Sequence, residues 1–259
     1  MKGSIPEDRC NDRPVTTTDW ASLDAALTAA LHPTAAPVAI TFGAEPPPGV
    51  AAHDGVMPPP LPDGRTGRVP AGCVFWMHAA DRTFTTTKAD HGNCSVGSLT
   101  HGFATLEEVA GNDDVAALLS TGWVTMEDVP AIPVVTERPG AVTYGPLAET
   151  PVDPDVVLVR LTAKSLMVLS DALPGLRVEG KPQCHIVAVA KEQGEVAASV
   201  GCMLSRVRTG MPSTEVTCAI PASKLADVVA AVEATAAVDA QVAAYAAEDS
   251  RRFAPVGRA

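Results

Sequence analysis

The chain has 259 residues, enough for one large or two small domains with a core of their own, so neither metal nor disulfide is needed simply to hold it folded. Apolar residues make up 46% and charged residues 19%, which excludes wholesale disorder. Nineteen basic against 30 acidic residues leave a net charge of −11, which speaks against an extended phosphate-binding surface and so against a nucleic-acid partner.

Uncharged apolar runs fall short of the roughly 18–20 residues that cross a bilayer, and the opening MKGSIPEDRCNDRPVTTTDW has no apolar core of a secretory signal. A cytoplasmic protein with no membrane partner is expected. With only Trp 3, Tyr 2 and Phe 5, the core must be filled by Ala, Val and Leu, which suits closely packed layers. The expected fold is α/β or α+β: a mixed sheet with packed helices in one domain over 18–248, a loose arm over 1–17 and a frayed tail over 249–259.

In chain order, Asp19 is placed to cap a helix in which Trp20, Leu23, Leu27 and Leu31 recur at helical spacing, with Pro33 as a stop. Pro37–Phe42 reads as a buried strand ended by Gly43, and residues 43–70, with two Pro-Pro-Pro runs, as a long irregular loop. Phe84–Lys88 is a Thr-rich strand running into the turn Asp90-His91-Gly92-Asn93-Cys94, which should expose its side chains. Leu106 to Leu119 is helical, Ala141–Leu147 and Val156–Leu161 are strands, and Leu166, Leu169 and Leu173 mark a short helix. Cys184–Ala190 and Ser213–Ile220 read as further strands, and Pro221 opens a long Ala/Val helix to about Glu248. Its Val228, Val229, Val232 and Val238 offer a surface for a homodimer.

Several stretches fall in a telling order: the PVAITF strand, Gly72-Cys73, Asn93-Cys94-Ser95-Val96-Gly97 leading to His101-Gly102-Phe103, and Pro154-Asp155-Val156-Val157. Cys184, Ser199-Val200-Gly201-Cys202 with Arg206, and Ala219-Ile220-Pro221 complete them. Together they resemble the bacterial and archaeal domain-of-unknown-function 169 family, the uncharacterised ArCR proteins, over roughly residues 20–240. The resemblance implies single cysteines at positions 73, 94, 184 and 202, with Cys10 and Cys218 outside the pattern. It also implies a second cysteine shortly after the last, where this chain has Met203-Leu204-Ser205-Arg206, and less polar residues where it has Asp90-His91.

The cysteine intervals of 21, 90 and 18 residues contain no C-x₂-C pair, so spacing alone names no metal site. Taken with the family pattern, Cys73, Cys94, Cys184 and Cys202 suit an iron–sulfur cluster, 4Fe–4S, held by one thiolate from each; zinc is the alternative. That makes a redox carrier, or an oxidoreductase acting on a small molecule at the cluster. Two other readings stand beside it: a zinc- or thiol-dependent enzyme built on Cys94 and His91, and a non-catalytic binding protein whose cysteines are core packing. His91, three residues before Cys94, is the candidate catalytic group, with His78 and His101 nearby. Arg206 and Arg208 form a candidate anion site, and the expected partner is a small-molecule ligand or a redox protein. Trp76 and Phe75 read as core residues, and no Gly-rich phosphate loop or G-x-S-x-G elbow is present.

Overall fold

Asp19 accepts the backbone N–H of Ser22 at 3.0 Å and so starts α1 (Trp20–Leu31), as its sequence predicts. The computed structural model describes residues 18–54, 72–92 and 94–252. The expected N-terminal arm, the second half of the proline-rich loop, Asn93, Cys10 and the last residues of the tail lie outside them. After α1 come β1 (Val38–Gly43), α2 (Gly72–His78), β2 (Phe84–Thr86), α3 (Ser95–Thr100), α4 (Leu106–Val109) and α5 (Asp113–Ser120). Then follow β3 (Ala141–Pro146), β4 (Val156–Thr162), α6 (Ala163–Ala172), β5 (Arg177–Glu179) and α7 (His185–Ala188). The chain continues with β6 (Ala197–Ser199), α8 (Met203–Thr209), β7 (Glu215–Pro221) and α9 (Leu225–Asp249).

The strands form one mixed sheet in the order β2-β3-β1-β4-β7-β6-β5, antiparallel throughout except for the parallel pair β5–β6. Both faces are covered, and strand alternation sorts the side chains between them. Val157, Val159 and Leu161 of β4, with Val216, Cys218 and Ile220 of β7, face α1, α6 and α9. Val156 and Leu158, with Val38 and Ile40 of β1 and Ala219 of β7, face the other way, towards Phe75, Trp76, Phe103 and the buried run Ile186–Ala190. This second layer is made of short helices and turns, and it carries the cysteines. Between the central strands Arg160 of β4 forks onto Glu215 of β7 (2.8 and 2.9 Å), and Thr34 donates to the same carboxylate at 2.7 Å.

Three local expectations are corrected. Cys184–Ala190 is no strand: α7 runs into a wider turn over Val189–Gln193. Ile186 to Ala190 are all at most 1% exposed, so burial erased the periodicity that tells helix from strand. Of the Asp90–Cys94 turn, His91 and Cys94 are not presented to water, because Phe75 and Phe103 cover His91 and leave it 1% exposed, and Cys94 is 7% exposed. Pro221 ends β7 rather than opening the last helix, which begins at Leu225 after a short 3-10 turn. The three-residue strands β5 and β6 are too short to leave a pattern.

Leu225, Val228, Val229 and Val232 bury the first half of α9 on the sheet. Those valines are therefore spent in the core, and the helix surface left to a second copy is that of Val238, Val242 and Tyr245. One helical stretch among the described residues, Ala222–Arg252, is long and apolar enough to cross a membrane by length and composition alone, though charged residues interrupt it and Leu225 to Val232 of it pack into the core.

Candidate functional site

Four short helices of the second layer turn their first residues towards one another, and each brings a cysteine. Cys73 is the second residue of α2, while Cys94, Cys184 and Cys202 immediately precede α3, α7 and α8. All four line a single cavity of about 390 Å³, counting its open mouth. Cys218 points from β7 into the opposite layer, where burial pushes its thiol up to about 12. The sheet thus separates it from the other four. Sulfur positions at the cavity are held by the backbone: Cys94 Sγ accepts the N–H of Gly97 and Cys202 Sγ that of Ser205, both at 3.4 Å.

The cavity resists ionisation of its thiols. Burial, then the neighbouring Cys94 and Cys202, raise Cys73 to about 12. Cys184 is raised well above its usual range by burial and by the other three sulfurs, against a hydrogen bond from Thr100. Opposing them is Arg208, which lines the cavity and hydrogen-bonds Cys94. Burial works against its charge, but Cys94, Cys73 and Cys202 outweigh that cost and hold the guanidinium protonated. Among the described residues, no three His, Cys, Asp or Glu side chains close on a point where a single metal ion would sit.

The rest of the lining is mostly apolar, with Val96, Trp123, Pro182 and Leu204, and its polar members are Gln183 and Ser205 besides Arg208. Ser205 Oγ donates to Gln183 Oε1, and Gln183 Nε2 donates to Thr217 Oγ1 at 2.7 Å, which ties α8 and the segment before α7 to β7. Outside the cavity, Lys181 stacks its ammonium 5.1 Å from the Trp123 ring centroid.

A family model described as DUF169, uncharacterised ArCR, matches residues 26–231. The chain belongs to this family. The match spans all four cavity cysteines and leaves out Cys10. No curated protein and no solved structure matches the chain.

Other residues singled out in the sequence are not at the cavity. His91 donates from Nε2 to Thr86 Oγ1 (3.0 Å), whose hydroxyl goes on to the Val142 carbonyl (3.2 Å). Its ring lies against Phe75, Phe103 and His101, and burial holds it well below its ordinary pKa, so it is neutral and shut away from any ligand at Cys94. His101 stands directly behind the cavity wall: a Cβ on Gly72 would lie 3.2 Å from its Cε1, and its Nδ1 is 3.0 Å from the Gly97 carbonyl. His78 pairs with His53 at 3.2 Å at the far end of α2. His185, next to Cys184, is a helix residue that faces Glu179 at 3.2 Å.

The expected pair of arginines splits. Arg206 is committed to the carbonyls of Pro212, Val200 and Glu215, so only Arg208 serves the cavity. Trp123, Gln183 and Ser205 were not foreseen. For Ser205 a signal existed, since a hydroxyl three residues after a capping side chain has the spacing of a capping box, which Cys202 and Ser205 do form.

Proposed function

We propose that the protein binds a 4Fe–4S cluster through Cys73, Cys94, Cys184 and Cys202 and serves in electron transfer. The observation that carries this is the meeting of four cysteines, from four helix heads spread over 130 residues of chain, around one cavity while the fifth described cysteine is kept on the other side of the sheet. Four cysteines around one space are the donor set of a 4Fe–4S cluster, with zinc as the alternative that metal analysis separates. A cluster, when bound, supplies one-electron chemistry at a potential set by its surroundings. The chain's residues would do the rest. Arg208 offsets negative charge at Cys94, the Gly97 and Ser205 N–H groups hold two of the sulfurs, and Trp123 and Leu204 keep water from the site. An apolar lining, with His91 sealed in the core, favours a carrier over an enzyme that must protonate a substrate there.

Anaerobic purification followed by iron and sulfide analysis and visible spectroscopy tests the reading. Expected are a brown protein with about four iron and four sulfide per chain, loss of colour on replacing any of the four cysteines by serine, and no loss in Cys218→Ser. A colourless protein after anaerobic reconstitution, or stoichiometric zinc in its place, overturns it.

A further inference from the structure

Beneath α5 lies a second pocket, about 440 Å³ counting its open mouth, lined by α3, α4, α5 and residues 124–132. Its walls are apolar apart from Ser95. Val115, Leu118 and Leu119 recur at one face of α5 and line it, yet no side chain of α5 is fully buried. A helix is therefore held with its apolar stripe only half-buried over an open pocket. The tether is polar: Asp114 accepts both the backbone N–H (3.0 Å) and the hydroxyl (2.6 Å) of Ser95.

The cavity continues into a groove that shares Leu99, Leu106, Val129 and Ile132 with it and adds Thr105, Thr136 and Arg138. Among the described residues lining the two, Arg138 is the one that carries a charge, and it is a cation in a chain of net charge −11. Arg138 reaches Glu108 at 3.5 Å, where Lys88 already stands 3.2 Å from the other oxygen, so two cations share one carboxylate. A guanidinium has five N–H donors and matches a second carboxylate well.

We propose that this cavity and groove bind a free aliphatic monocarboxylate, with the chain among Leu99, Leu106, Leu118 and Ile132 and the carboxylate on Arg138. An apolar pocket that opens into a groove with one cation on its wall fits a chain with one anionic end in both shape and charge. The site is distinct from the cysteine cavity and its test does not depend on the cluster. Val96 nevertheless lines both, so a ligand that packs against α3 presses on the helix that Cys94 caps.

The test is calorimetric titration of the full chain with hexanoate, octanoate and decanoate, each below its micelle-forming concentration. Affinity should rise about fourfold per added methylene. Arg138→Gln should weaken decanoate about tenfold and leave decanol unchanged, while Leu118→Trp, which fills the cavity, should abolish both. No saturable decanoate binding, an affinity independent of chain length, or unaltered binding in a folded Leu118→Trp protein overturns the proposal. If circular dichroism shows that variant misfolded, Val115→Phe is judged by the same outcomes. Arg138-dependent sedimentation with phosphatidylglycerol vesicles, without binding of free decanoate, also overturns it, in favour of a lipid surface.

Discussion

Cys94 and Cys202 do the same thing at the heads of two different helices: each sulfur accepts the backbone N–H three residues on, from Gly97 and from Ser205, at 3.4 Å. An N-cap side chain satisfies a donor that the helix cannot, and its loss costs about 1 kcal/mol. Serine caps as well or better, but is a poor ligand for iron. Cys202→Ala should therefore lower the stability of the metal-free protein by about 1 kcal/mol, while Cys202→Ser leaves it within about 0.5 kcal/mol, and both should lose the cluster. Urea unfolding beside iron analysis separates the two roles.

His101 and His91 predict an acid-sensitive fold. Burial lowers His101 to about 4 and His91 well below its ordinary value, so below pH 6.5 the unfolded chain takes up protons that the native one refuses. Stability is then full above about pH 6.5 and falls as the pH drops towards 4, by up to about 1.4 kcal/mol per unit for each histidine. Unfolding midpoints at pH 7, 6 and 5 should decline, and His101→Phe should flatten that slope; an unchanged slope would remove His101 from the account.

Glu215 is 3% exposed and holds both the Arg160 guanidinium and the Thr34 hydroxyl. Replacing it by alanine strands a guanidinium in a nearly dry site, and a loss of about 3–5 kcal/mol is expected. The exposed pair Arg82–Asp54 has nothing comparable to lose, and Asp54→Ala should cost under about 1 kcal/mol. Denaturant titration of the two variants side by side checks the contrast.

Gly140 donates to the Gly43 carbonyl at 2.9 Å where β1 ends and β3 begins, and a Cβ built on it would lie 1.9 Å from the Ala44 carbonyl oxygen. Backbone would have to move, so Gly140→Ala should cost more than about 2 kcal/mol. At Gly111 nothing lies within 4 Å of the added carbon, and Gly111→Ala should stay within about 0.5 kcal/mol. Equal thermal shifts for the two would contradict the packing described at the β1–β3 end.

Elements whose signal is local were legible in the sequence. Asp19 and the Leu27–Leu31 spacing mark α1, β-branched runs mark β1, β3, β4 and β7, and the Val228-Val229-Val232 face marks α9, because caps and half-buried faces are written in neighbouring residues. The Ile186–Ala190 helix was not legible, since a segment buried all round has no polar face to set its period. Which cysteines belong together was hinted at only by the family pattern, as 21, 90 and 18 residues separate them and no local rule spans such gaps. Their meeting is a product of topology: α2, α3, α7 and α8 all pack on one face of a sheet whose order interleaves distant strands, and β7's alternation sends Cys218 to the other face. The sealing of His91 has the same origin. Its sequence position beside Cys94 suggests a shared site, but Phe75 from α2 and Phe103 from beyond α3 close over the ring, and side chains brought from afar, rather than neighbours in the chain, set its solvent access.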